Sequence, residues 1–296
     1  MMISRRRFLV TTSTVASTLV IHKCLPVALA GTRPDLELGI CTSYQKAAAM
    51  KKAGFQFVEG GVAQVLVPKE GEEVFEKRLA EIKAADLPVR VCNGFIPAEL
   101  KLVGPGARTD EAVVYATAAI RRAPKVGVVR IVLGSGGARR IPEGFSPDQA
   151  REQFIAFCKK IAPVAHDNGV IIVLEPLNKK ECNFLTRVDE GAELVDAIGH
   201  PGVQLHADIY HMMKDAEGPE SILKAGKRIR HVHVATMPGR KAPGKEETDF
   251  RPYFKALKSI GYADRISIEG GWGKQFDEEA VQAAKVLRQQ LTEAWA

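Results

Sequence analysis

Residues 171–178, IIVLEPLN, run from an apolar stretch into a side chain of a metal-binding type, and three later stretches are built the same way: 203–211 VQLHADIYH, 229–235 IRHVHVA and 265–272 RISIEGGW. Side chains alternate across a strand, so residues of one parity share a face. If each stretch is a strand, Ile172, Leu174, Ile266 and Ile268 pack to one side while Val173, Glu175, Ser267 and Glu269 point to the other. The same parity groups Gln204, His206 and Asp208, and then His231 and His233. Glu175, Asp208, His233 and Glu269 are thereby the last inward residues of four successive strands. That is where a closed parallel barrel collects its chemistry.

Working outward, apolar β-rich runs alternate with longer amphipathic runs along the rest of the chain. Strands are expected at 36–42, 55–61, 89–95, 126–134, 170–177, 203–210, 229–235 and 265–270. Helices are expected between them, including 72–85, 188–198, 219–227, 250–260 and 277–295. Thr109-Asp110-Glu111 opens a further one, and Ser146-Pro147-Asp148-Gln149 opens another with a cap followed by proline, closed at Gly169. Eight β-α units in a row predict an α/β fold, a single-domain (β/α)8 TIM barrel, with an open doubly wound sheet as the alternative that periodicity alone leaves standing. The loops 134–145 and 236–249, rich in Gly, Pro and basic residues, follow strands four and seven and should overhang the mouth.

The N-terminus reads differently. Ser4-Arg5-Arg6-Arg7-Phe8-Leu9, an uncharged stretch from Val10 to Ile21, and Ala28-Leu29-Ala30 resemble a twin-arginine export signal with its cleavage site. The expected division is 1–30 signal peptide and 31–296 barrel, with the mature protein periplasmic or otherwise exported. The apolar stretch is too short and too rich in Ser and Thr for a membrane span, and His22-Lys23 before Cys24 departs from a lipoprotein box, so no stable membrane anchor is expected. Removing residues 1–30 takes the formal charge from +7 to +3, because Arg5, Arg6, Arg7 and Lys23 leave and no acid does. No basic run remains to favour nucleic acid. Cys41, Cys92, Cys158 and Cys182 show no CxxC spacing, which argues against a zinc knuckle or redox pair.

Three carboxylates gathered in a barrel mouth repel one another unless a cation sits among them. The set Glu175, Asp208, His233 and Glu269 is mostly hard and oxygen-rich, which suits one divalent ion, Mn²⁺ or Mg²⁺ first, with Co²⁺ or Zn²⁺ tolerated. His206 and His231 lie one layer down, as satisfied polar residues or as supports for the ligands. Arg139, Arg140 and Glu59 are read as solvated charges near the mouth, and Trp272 as a ring that stacks on a sugar or closes the barrel.

These residues resemble the xylose isomerase-like barrel superfamily, most closely its sugar isomerase/epimerase branch, which holds the ketose 3-epimerases and hydroxypyruvate isomerases. The likeness covers about residues 36–290 as an order of elements, and its specific motifs lie in the second half. In the epimerases a Glu-Pro-Leu-Asn segment gives the first ligand and a Glu six residues on touches substrate, which implies Glu175 and Glu181. An Asp-x-x-His implies Asp208 as ligand with His211 on a substrate oxygen. His-x-His implies His233, and the last strand implies Glu269. The substrate arginine of the epimerases lies six residues beyond the ligand His. Arg240 lies seven beyond, in a Pro238-Gly239-Arg240 turn like that of the hydroxypyruvate isomerases, which themselves carry Gln at the His233 position. The apurinic endonucleases of the superfamily use histidines from strands two and three, and neither FQFVEGG (55–61) nor VRVCNGF (89–95) has one.

The resemblance implies an enzyme that moves a proton alpha to a carbonyl of a small carbohydrate through an enediolate, with Glu175 and Glu269 as the catalytic carboxylates and Glu181, His211 and Arg240 binding substrate. Two carboxylates acting on opposite faces give epimerisation; one group shuttling between adjacent carbons gives aldose-ketose isomerisation. A lyase or hydratase acting on a keto-sugar or 3-keto-glycoside would use the same ion and carboxylates. A non-catalytic sugar-binding barrel is the reading from another class, and homo-oligomerisation is left open.

Overall fold

The computed structural model describes residues 36–296, so the expected export signal, its boundary at residue 31 and Cys24 lie outside the described residues. Eight parallel strands close in chain order: β1 Glu37–Cys41, β2 Phe57–Gly61, β3 Val89–Asn93, β4 Arg130–Leu133, β5 Ile171–Leu174, β6 Val203–Asp208, β7 Ile229–Val234 and β8 Arg265–Ile268. Strand β8 returns to β1 through Glu37↔Arg265 to Ile40↔Ile268, which excludes the open sheet.

Local chemistry sets where the strands stop. The fourth is shorter than its apolar run because Val126 ends the helix Thr109–Val126, and Gly127, at φ 88°, caps it in a conformation that costs other residues more. Strand β5 stops at Leu174, since Pro176 has no N–H to give the ladder. At the end of β6 the Asp208 carboxylate accepts from the His211 N–H at 3.2 Å and starts the helix Ile209–Lys214. Ser146 caps the helix Pro147–Asp167 as its sequence suggests, accepting from Gln149 N at 3.3 Å.

The parity rule sorts two cores. Ile172, Leu174, Val232, Val234, Ile266 and Ile268 pack outward with the helices, whereas Phe57, Val91, Val132 and Val173 fill the barrel itself. Gly39 makes room for that filling: a Cβ there would sit 2.2 Å from the Phe57 ring. Cys92, Cys158 and Cys182 are buried free thiols, and Cys41 is a half-buried one. Among the described residues no helix is long and apolar enough to cross a membrane.

At the barrel base Asp264 meets three guanidinium groups: Arg130 Nη2 at 2.7 Å, Arg230 Nε at 3.3 Å and Arg265 Nη1 at 3.2 Å. Burial alone would raise the Asp264 pKa, but these cations, Arg130 foremost, hold it below the usual aspartate value. A depressed folded-state pKa contributes stability that is present above the unfolded value, about 3.9, and is lost as pH falls through the folded value. Asp264→Asn is therefore expected to cost about 3 kcal/mol at pH 7 and to flatten the loss of stability below about pH 4. Urea melts of both proteins from pH 7 to pH 2 check this. Superimposable melts would remove the cluster from the stability account.

Candidate metal centre at the barrel mouth

The rim gathers side chains from β5 to β8. Glu175 follows β5, its N–H still bonded to Leu133 O at 3.2 Å, and Glu269 follows β8, its N–H on Val234 O at 3.1 Å. Asp208 closes β6 opposite His233 in register, and His233 pairs in turn with Ser267. One donor atom from each of Glu175, Asp208, His233 and Glu269 lies within 4.8 Å of the others. The structure thus brings together the four residues that parity singled out.

Their arrangement could hold a cation. His233 Nδ1 stands 3.5 Å from both Glu175 Oε1 and Glu269 Oε2, and among the described residues neither Nδ1 nor Glu175 Oε1 has a hydrogen-bond partner although both are buried. Burial and then the charge of Glu269 push the Glu175 pKa up; Glu269 is held down because His233 and Arg240 outweigh its own burial. These two buried atoms face one another without a hydrogen bond, and with His233 neutral and Glu175 ionised both turn a lone pair toward a shared positive ion. Gly134 clears the space for Glu175, since a Cβ there would lie 2.0 Å from Glu175 Oε2.

Around this set stands a polar ring. Asn178 Nδ2 donates to His211 Nδ1 at 2.8 Å, which leaves the imidazole proton on Nε2, 3.7 Å from Asp208 Oδ2 and 4.0 Å from Glu181 Oε2. Asn178 also reaches Glu181 Oε1 at 2.9 Å. Arg240, with the non-glycine φ of 51°, donates from Nη2 to Glu269 Oε2 at 2.6 Å and from Nη1 to the Glu181 oxygens at 3.2 and 3.3 Å. Its guanidinium lies 5.1 Å from the Tyr210 ring centroid. Glu181, His211 and Arg240 are therefore all at the mouth, and Arg240 is half-buried and paired rather than a free surface charge.

Two of the three mouth charges read as solvated are not. Arg139 is 0% exposed and donates to main-chain carbonyls, and Glu59 is 1% exposed beneath the rim. Arg140 alone is exposed, on Glu181 O. Trp272 packs edge-on against Phe276 at 4.8 Å. Glu59 Oε1 meets His233 Nε2 at 2.8 Å and Oε2 meets His231 Nε2 at 2.9 Å, so His231 is tied to this carboxylate, while neither His206 nitrogen has a hydrogen-bond partner among the described residues. Asn93 Nδ2 approaches Glu269 Oε1 at 3.4 Å. The signal for Glu59 and Asn93 was available: they share inward parity with Phe57 and Val91.

On the β1–β3 side a cavity of about 440 Å³ opens beside the ring, lined by Cys41, Ser43, Tyr44, Glu59, Gln64 and Asn93 among others, with no Lys or Arg among the described residues of its wall.

Comparison with known proteins places the fold. The L-ribulose 3-epimerase of Methylomonas sp. (strain DH-1) is 35% identical over 120 residues, 40% of this chain and 42% of that protein. The hydroxypyruvate isomerase of Escherichia coli (strain K12) is 26% identical over 155 residues, 51% of this chain and 59% of that one. The chain thus matches about half the length of these curated relatives. The structure of D-psicose 3-epimerase with D-tagatose from Clostridium cellulolyticum H10 superposes with a TM-score of 0.76 at 21% identity, covering 86% of this chain and 99% of that one, a likeness of fold. With a family model matching residues 47–290, nearly the whole strand-helix ring, this chain belongs to the xylose isomerase-like TIM barrel family.

Proposed function

We propose that this chain is a divalent-metal-dependent sugar isomerase or epimerase that moves a proton alpha to the carbonyl of a keto-sugar. The observation that carries the reading is the convergence of Glu175, Asp208, His233 and Glu269 within 4.8 Å, with His233 Nδ1 and Glu175 Oε1 buried and unpartnered. Its relatives' names, a ribulose epimerase and a hydroxypyruvate isomerase, support the same chemistry. These four residues would hold one ion, Mn²⁺ or Mg²⁺ by the hardness of the donor set. When bound, such an ion supplies Lewis-acid stabilisation of the enediolate.

The chain's own groups do the rest. Glu175 and Glu269 come from strands on different sides of the mouth, so one takes the proton from one face of the planar carbon and the other returns it on the opposite face. Hydrogen bonds from Arg240 and from His211 Nε2, and acceptance by Glu181, fix the sugar oxygens and with them the carbon presented to the carboxylates. The β1–β3 cavity takes the far end of the sugar. Among the described residues its wall has a buried carboxylate and no cation, which suits an uncharged, unphosphorylated end.

The test is to strip the protein, restore Mn²⁺, and incubate it in D₂O with free ketoses, ketose phosphates and 3-keto-glycosides, following products by NMR. The expected result is an isomerised or epimerised ketose carrying deuterium at the carbon next to the carbonyl. Free ketoses should be favoured over their phosphates by about tenfold or more in kcat/KM, the scale of one unfavourable charge contact. Release of aglycone without ketose interconversion would replace the isomerase with the lyase. Neither exchange nor release would defeat the reading.

A further inference from the structure

Glu59 lies outside the proposed ligand set, yet it is wholly enclosed and both of its oxygens are committed to imidazoles of β7, His233 Nε2 at 2.8 Å and His231 Nε2 at 2.9 Å. A carboxylate only accepts hydrogen bonds, so each of these nitrogens must present a proton to it. A neutral imidazole has one N–H and one lone pair. With its proton held on Nε2 by Glu59, His233 has its lone pair on Nδ1, the atom that stands 3.5 Å from Glu175 Oε1 and Glu269 Oε2 with no hydrogen-bond partner. His231 takes the same tautomer: its Nε2 also lies 3.4 Å from Ser267 Oγ, its Nδ1 has no hydrogen-bond partner among the described residues, and it anchors the second oxygen of Glu59 so that the carboxylate does not turn away from His233.

We propose that Glu59 is the positioning residue of the centre, selecting the His233 tautomer whose Nδ1 is free to bind the ion, with His231 as the brace that holds Glu59 in place. This rests on the metal reading above and adds to it a residue from the opposite half of the barrel, 174 positions away in sequence. The functional consequence is that ion affinity depends on a group that never touches the ion. Outer partners of this kind contribute about 10- to 100-fold to metal affinity. Cys41 offers the competing use of the same corner, since its Sγ, a Glu59 oxygen and a His233 nitrogen lie within 4.8 Å of one another and form a second three-donor group.

The experiment labels the histidines of the full chain with ¹⁵N and records long-range ¹H–¹⁵N spectra of the Mg²⁺-loaded protein. The expected signature is His233 protonated at Nε2 and unprotonated at Nδ1; a proton on His233 Nδ1 overturns the proposal whatever any variant does. Mn²⁺ titrations of Glu59→Gln then read the energetic side. The amide offers one acceptor and one donor where the carboxylate offered two acceptors, so affinity should fall about 10- to 100-fold. Native Mn²⁺ affinity in Glu59→Gln overturns the proposal, as does a second bound ion that disappears in Cys41→Ser, because Glu59 would then be a ligand itself. Glu175→Gln in the same titration separates the two levels. If it too binds Mn²⁺ like the parent, the metal reading has failed; if it binds weakly while Glu59→Gln does not, only the positioning role has.

Discussion

Glu269→Gln should lower ketose interconversion by about 10³-fold or more while leaving a measurable Mn²⁺ site. The substitution keeps the size of the side chain and one oxygen, so Glu175, Asp208 and His233 still surround the ion position; what disappears is the proton-accepting charge, together with the ion pair to Arg240 Nη2 at 2.6 Å. If Glu175 and Glu269 each serve one face of the substrate carbon, the loss has a particular shape. Interconversion of two epimers stops, yet the epimer whose hydrogen faces Glu175 still exchanges that hydrogen with D₂O. The measurement pairs product formation with deuterium wash-in for each epimer separately, and metal content by mass spectrometry for the same samples. A variant that retains Mn²⁺ and turns over at the parent rate would point instead to a binding barrel whose ion is structural. Equal loss of exchange in both epimers would favour a single shuttling base, and with it isomerisation over epimerisation.

What the sequence made legible followed the strength of local signals. The order of elements came from the alternation of apolar and amphipathic runs, and the four converging donors from parity, a geometric rule that survived folding intact; closure itself shows only in the β8–β1 pairing. The same rule applied to β1, β2 and β3 would have reached Cys41, Glu59 and Asn93. Each of those residues stands singly and belongs to no motif, so parity gives its direction but nothing marks Glu59, expected as a solvated charge, as buried. Strand ends were harder, because Pro176, Gly127 and the Asp208 cap truncate the ladder at positions where hydropathy continues. Least legible was burial of charge. Arg139 and Arg140 are adjacent and alike in composition, and only the path of the loop after β4 decides that one turns inward and the other out.

That inward arginine carries the other large effect. Arg139 sits in the short helix Gly136–Arg139 and is completely buried, and its fork reaches four main-chain carbonyls: Gly134 O from Nε, Phe184 O and Leu185 O from Nη1, the latter at 3.1 Å, and Glu175 O from Nη2 at 2.7 Å. One side chain thus ties the end of β4, the end of β5 and the loop beyond Asn183 into one piece. Burial lowers the Arg139 pKa, but guanidinium starts so high that it stays charged, and the carbonyl dipoles take the place of water around it. Arg139→Met fills much of the volume and leaves those carbonyls without donors, at an expected cost of about 4 kcal/mol. Because one of them belongs to Glu175, Mn²⁺ affinity should fall in step with stability. Arg139→Lys should recover little, since three rotatable donors on one nitrogen do not span the positions that the planar fork reaches. Arg140→Met, which removes an exposed contact to Glu181 O, is the matched control and should stay within about 0.5 kcal/mol of the parent. Thermal and urea melts of the three variants, with Mn²⁺ titrations at a temperature where all are folded, decide the matter. If Arg139→Met is as stable as Arg140→Met and binds Mn²⁺ as the parent does, the carbonyl fork is not what holds Glu175 at the rim, and the position of that carboxylate must be set by the β4–β5 ladder alone.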